Sequence, residues 1–147
     1  MNFSEDLIEQ IKRHEGLELM IYNDSRGFPT IGYGHKLSGD EKNLFKDGIN
    51  TAKAEQLLMS DLTRIEEELL RKEAWIADVE PVRRDVLYNM AYNLGAAGLL
   101  EFHHALNMVQ KRQWQQAAAE MRNSRWCNQV GNRCDELSRQ METGRYQ

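Results

Sequence analysis

Between Asn50 and Lys72, apolar residues recur at Leu57, Leu58, Leu62, Ile65 and Leu69, and most positions between them are charged or polar. That spacing predicts a single amphipathic helix with one buried stripe. Asn50 suits its N-cap, and a rise of 1.5 Å per residue makes it about 30 Å long. In a chain of 147 residues, which folds as one domain or as two small lobes sharing an element, such a helix is long enough to bridge two lobes.

The pattern differs on either side. Before the long helix, Asn2 or Ser4 followed by Glu5 and Asp6 makes a helix start, Leu7, Ile8 and Ile11 form its stripe, and Gly16 stops it. Leu19–Tyr22 and Phe28–Tyr33 then read as β-type runs around the turn Asn23-Asp24-Ser25-Arg26-Gly27, a small antiparallel sheet. Ser38-x-x-Glu41 resembles a capping box that opens a short helix ending near Gly48.

After it everything reads helical. Pro81 suits a first helical position, with Val82, Val86, Leu87, Met90, Ala91 and Leu94 as the stripe and Gly95 as the stop. Shorter helices are expected around Leu99–Lys111, Trp114–Arg122 and Asn132–Met141. Trp126, Trp114, Met90 and Phe102 are expected in the core. The predicted class is α+β: a small antiparallel-sheet lobe joined by a long helix to a larger helical lobe. Within a single domain 1–147, residues 1–14 form an N-terminal helix packing on the helical lobe and 15–49 the sheet lobe. Residues 50–73 form the linking helix and 74–147 the helical lobe.

Composition narrows the functions. The net charge of −4 does not favour nucleic acid as a partner. Charge is uneven: residues 1–73 carry 10 Lys/Arg against 15 Asp/Glu, giving −5, and 74–147 carry 9 against 8, giving +1. The C-terminal half is better suited to an anionic substrate. Met1-Asn2-Phe3-Ser4-Glu5-Asp6 has neither the basic nor the apolar region of a signal peptide, and no apolar run is long enough for a membrane span, so a cytosolic protein is expected. Cys127 and Cys134 would face the same way only if one helix ran through both, which Gly131 makes doubtful. Two reduced thiols are therefore expected. Neither a metal nor a cofactor is expected, and the adjacent His103 and His104 point different ways on a helix.

The chemistry concentrates in His14-Glu15-Gly16-Leu17, Tyr22-Asn23-Asp24-Ser25-Arg26-Gly27 and Pro29-Thr30-Ile31-Gly32-Tyr33-Gly34-His35. A carboxyl at a helix C-terminus sits at the negative end of the dipole, which disfavours its ionisation, and burial acts the same way. Glu15 therefore has the setting of a general acid. Asp24, in a polar turn among backbone N–H groups, stays ionised. Two carboxyl groups in unlike settings are what glycoside hydrolysis requires. Taken alone, an Asp in such a turn and a Glu before a helix-ending Gly are more often ordinary turn and surface chemistry.

Glu15-Gly16-Leu17, Tyr22-x-Asp24 and Thr30-Ile31-Gly32-Tyr33-Gly34-His35 closely resemble the active-site segment of T-even phage-type lysozymes, glycoside hydrolase family 24. The likeness resumes in Val82-Arg83-Arg84, Asn89-Met90, Gly95-x-x-Gly98, Phe102 and Ser124-Arg125-Trp126-x-Asn128-Gln129-x-x-Asn132-Arg133, and runs to Thr143-Gly144. It implies a lysozyme-like fold and hydrolysis of the β-1,4 bond between N-acetylmuramic acid and N-acetylglucosamine in bacterial peptidoglycan. Glu15 would be the general acid. Asp24 and Thr30 would position water or stabilise the positive transition state, with inversion at the anomeric carbon. Arg133 matches an arginine that pairs with the catalytic glutamate, Tyr92 and Lys36 match substrate-contact positions, and His35 and Asp61 match a structural ion pair. The likeness also implies a monomer released from the host cytoplasm to the periplasmic wall by a holin-type membrane protein.

The sequence departs from the family in places. Ala105 and Glu120 stand where different polar residues contact substrate, the loop between His35 and Asn50 is short, and the acidic net charge is unlike the basic character common in the family. Two rival functions are a lytic transglycosylase, which needs no water-positioning pair, and a catalytically silent glycan-binding domain, which would have lost Glu15, Asp24 or Thr30.

Overall fold

The computed structural model describes residues 3–147, and its fold is of the expected α+β class, 66% helical with one small antiparallel sheet. Two compact units divide between Arg64 and Ile65.

The first unit opens with α1 (Glu5–Glu15). Ser4 caps it, its hydroxyl accepting from the Leu7 N–H at 3.1 Å, while Asn2 lies outside the described residues. Gly16, at φ 72°, closes it by donating to the Lys12 carbonyl. The sheet follows in the order β1 (Glu18–Asn23), β2 (Pro29–Gly32), β3 (His35–Lys36), antiparallel throughout, with Tyr22 opposite Thr30 and Ile31 opposite His35. The third strand was not foreseen; two residues are too few to show an alternation. Ile31, Phe45 and Leu57 form a buried cluster with Ile21, Leu37 and Ile49 against it.

The expected capping box is half present. The Glu41 carboxylate accepts from the Ser38 N–H at 2.9 Å, but α2 (Glu41–Leu44) starts after Asp40 and lasts a single turn. The long helix α3 (Thr51–Lys72) follows, with Asn50 Oδ1 accepting from the Lys53 N–H at 2.8 Å.

The second unit takes the last turns of α3, a 3-10 turn (Ala74–Asp78), α4 (Pro81–Leu94), α5 (Ala96–Leu100), α6 (His103–Gln110), α7 (Trp114–Arg122), α8 (Arg125–Val130) and α9 (Asn132–Thr143). Every residue of α4 from Asp85 to Ala91 is buried, the mark of a helix surrounded by others. α5 and α9 pack on it, and α7 packs against α6 and α9. The single helix expected over Leu99–Lys111 is two, divided at Glu101 and Phe102.

Cys127 and Cys134 are not reduced thiols: they form a disulfide with the two Cα atoms 5.0 Å apart. The expectation failed because facing cysteines do not need one continuous helix. Gly131, at φ 57° and ψ −113°, ends α8 and starts α9, and the break brings the two sulfurs together. Among the described residues, no helix is long and apolar enough to cross a membrane.

Candidate active site

Three of the residues singled out from sequence, Glu15, Asp24 and Thr30, lie in the first unit on elements that fix them locally. Glu15 is the last residue of α1 and is half-buried. The Gly34 backbone, at φ 73°, runs directly against it: a Cβ on Gly34 would lie 2.4 Å from Glu15 Oε1. Only a residue without a side chain allows that approach in that conformation. In the sequence Gly34 shows only as the glycine between Tyr33 and His35, a signal that does not by itself reveal this approach.

Asp24 heads the β1–β2 turn. Its Oδ1 accepts from the N–H groups of Arg26 and Phe28, both at 2.9 Å. The Phe28 bond, foremost, and that of Arg26 hold its carboxyl below the usual carboxylate value against some desolvation, with help from the charges of Lys36 and Arg26. Thr30 is buried, and its hydroxyl donates to the Phe28 carbonyl at 2.8 Å. The Tyr22 phenol is pushed up by burial, and further by the negative charges of Glu15, Glu18 and Asp24. One side chain thus lies within electrostatic reach of both candidate carboxylates.

Lys36 is exposed, its Nζ 5.2 Å from the Phe28 ring centroid, and the Arg26 guanidinium is 5.5 Å from the same ring. Two cations therefore flank an exposed aromatic beside Asp24.

His35 and Asp61 meet as expected, Nδ1 to Oδ2 at 2.7 Å, tying β3 to α3. Sequence reading missed the third member: His35 Nε2 lies 3.0 Å from Glu41 Oε1. Burial alone would lower the pKa of His35, but Asp61 and then Glu41, by hydrogen bond and charge, hold it above the ordinary value. Asp61 Oδ1 also accepts from Arg64 at 3.1 Å.

In the second unit, the Arg133 guanidinium donates to Asn89 Oδ1 through Nε at 3.0 Å and Nη2 at 2.8 Å. Asn89 is fully buried, so the fork is held rigidly. Tyr92 is half-buried on α4. Trp126 is buried as expected, donating to Asn93 at 2.7 Å and meeting the half-buried Phe102 edge-on. Ala105 and Glu120 line one cleft of about 440 Å³ with His104, Arg125 and Trp126. Trp114 departs from the expected core position. It is half-buried, with the Arg83 guanidinium 4.2 Å from its ring centroid.

Comparison with known proteins places the chain in a family. The "Probable T4-type lysozyme 1" of Dictyostelium discoideum is 28% identical over 92% of the chain and 93% of its own length. The "Endolysin" of Salmonella phage P22 is 34% identical over 65% of the chain and 64% of its own. The "Pre-baseplate central spike protein Gp5" of Enterobacteria phage T4 is 28% identical over 94% of the chain but only 28% of its own length. The phage lysozyme family model matches residues 12–143, nearly the whole chain. The chain therefore belongs to the phage lysozyme family and is, by class, a lysozyme-type hydrolase.

Proposed function

We propose that the chain hydrolyses the β-1,4 bond between N-acetylmuramic acid and N-acetylglucosamine in bacterial peptidoglycan. The observation that carries this reading is the pair of unlike carboxyls that both act electrostatically on Tyr22: half-buried Glu15 at a helix C-terminus and Asp24, its carboxyl held low in a turn of N–H donors. Glu15 gives its proton to the glycosidic oxygen as the C1–O bond breaks. Asp24 faces the positive charge that develops on the sugar, and takes a proton from the water whose oxygen bonds to C1. That proton then returns to Glu15 through solvent.

Thr30 has a defined part. Its one hydroxyl proton is committed to the Phe28 carbonyl, so the oxygen is left as an acceptor and orients a water that donates to it. Lys36 and Tyr92 serve as substrate contacts, and Arg133, fixed by Asn89, as a rigid positive charge near the substrate. Action as a monomer, and release from the host cytoplasm by a holin-type protein, belong to the same reading and rest on the family likeness alone.

Mass spectrometry of fragments released from purified sacculi tests the reaction. Hydrolysis leaves reducing muramic ends. A lytic transglycosylase, which uses the sugar's own hydroxyl in place of water, leaves anhydro-muramic ends, and their presence as the main product overturns the proposal.

A further inference from the structure

The second unit carries another cleft, of about 420 Å³, in the size range of small-molecule sites. Neither Glu15, Asp24, Thr30, Tyr92 nor Arg133 lines it. Trp75 and Trp114 do, together with Val79, Asp78, Glu80 and Arg112. Both indoles are half-buried, each having an apolar ring at the cleft and a polar edge. Trp75 Nε1 is anchored by Glu73 at 2.7 Å, which fixes the plane of that ring.

The cleft continues. Trp75 and Gln110 also line a neighbouring depression of about 110 Å³, where Asn107 and Glu73 add an amide and a carboxylate. The surface around Trp75 thus combines two indoles, Trp114 carrying the Arg83 guanidinium 4.2 Å from its ring centroid, with carboxylates, amides and the Arg112 guanidinium.

Arg112 is held at this place against a local cost. It has φ 60°, the one positive value outside glycine among the described residues. It closes α6, the following Gln113 N–H donating to the Met108 carbonyl at 2.8 Å. Glycine closes a helix this way without strain, whereas a side chain costs about 1 kcal/mol. The arginine stands where the cheaper residue would remove a planar donor from the cleft.

We infer that this cleft, which none of the candidate catalytic residues lines, is a second glycan-binding site that holds an uncharged N-acetylated amino-sugar oligomer. The inference rests on the glycan-hydrolase reading above. A pyranose presents a C–H face that packs on an indole, and a rim of hydroxyl and acetamido groups. The Asp78 carboxylate accepts from the hydroxyls, the Arg112 guanidinium donates to them, and the side-chain amides of Gln110 and Asn107 match the acetamido group in both senses. Phosphates are disfavoured by Asp78, Glu80 and Glu73. On a polymer with many repeats, a weak second site raises retention by effective concentration instead of adding a strong contact.

The first test is a titration of N-acetylglucosamine tetramer into the Glu15→Gln protein, following the indole N–H signals of Trp75, Trp114 and Trp126 by NMR. Saturable shifts of Trp75 and Trp114, on the order of millimolar, are expected, and the Trp114 shift is lost when Trp75→Ala is added. No shift at either, or a shift confined to Trp126, overturns the second site.

The second test compares Trp75→Ala with the parent enzyme on intact sacculi and on soluble, uncross-linked glycan fragments. Release from sacculi is expected to fall about tenfold, with turnover of fragments unchanged within about twofold. Equal loss on both substrates, or on neither, overturns the proposal. If Trp75→Ala does not fold, Asp78→Lys at an exposed position fills the cleft with a cation and carries the same expectations. A parent enzyme inactive on every glycan defeats the hydrolase reading, while the indole shifts still decide the second site.

Discussion

Asp24 and Thr30 are tied to opposite poles of one residue: the Phe28 N–H donates to Asp24 Oδ1 at 2.9 Å, and the Phe28 carbonyl accepts from Thr30 Oγ1 at 2.8 Å. The two side chains therefore keep a fixed spacing as long as Phe28 keeps its place at the turn. Thr30→Val keeps the shape and removes the acceptor. Its rate on sacculi is expected to fall roughly 10²-fold, the loss typical of one preorganised polar group, with stability down only about 1 kcal/mol for the lost hydrogen bond. A rate within about threefold of wild type would remove Thr30 from the water site.

Glu15 is open to disturbance from Gly34. A methyl group at Gly34 would lie 2.4 Å from Glu15 Oε1, and the obstructing atoms belong to the movable end of a side chain, so the carboxyl swings away while the fold survives. Gly34→Ala is expected to cost about 10²-fold in kcat through misplacement of the acid. The strained φ of 73° should cost about 1 kcal/mol of stability. Circular dichroism melts with steady-state rates separate the two effects. Activity lost only in proportion to unfolding would show that Gly34 serves the backbone alone.

His35 makes stability depend on pH in a definite direction. Its folded pKa is raised above 6.5 because Asp61 and Glu41 outweigh its burial. Stabilisation by its protonated form is therefore fully present below the unfolded value and is lost as pH rises through the folded value. The stability advantage of wild type over His35→Gln, measured by urea unfolding, should be greatest below pH 6.5 and shrink above it. A difference constant across that range would mean that His35 acts as a neutral hydrogen-bonding group.

The parts of this molecule that were legible in the sequence are those set by local chemistry. The α3 stripe from Leu57 to Leu69 buries as its spacing requires, and Asn50 and Ser4 cap their helices because their side chains reach the third N–H along. Asp24 in its turn was readable for the same reason. What escaped depends on distant partners. Glu41 looked like a capping residue and is one in part, but its contact with His35 needs β3 to be in place. Asn89 holds Arg133 across 44 positions of sequence. The Cys127–Cys134 bond depends on the helix break at Gly131, whose geometry spacing alone does not reveal.

Glu15 is the test on which the proposed chemistry turns, because Gln keeps its shape and hydrogen bonding but has no proton to give. Wild type and Glu15→Gln, matched for melting temperature, should be compared by the initial rate at which reducing ends appear from purified sacculi. A fall of at least about 10²-fold, with sacculus binding retained, is the predicted result for loss of a general acid. A variant that keeps more than about a hundredth of the wild-type rate would contradict it.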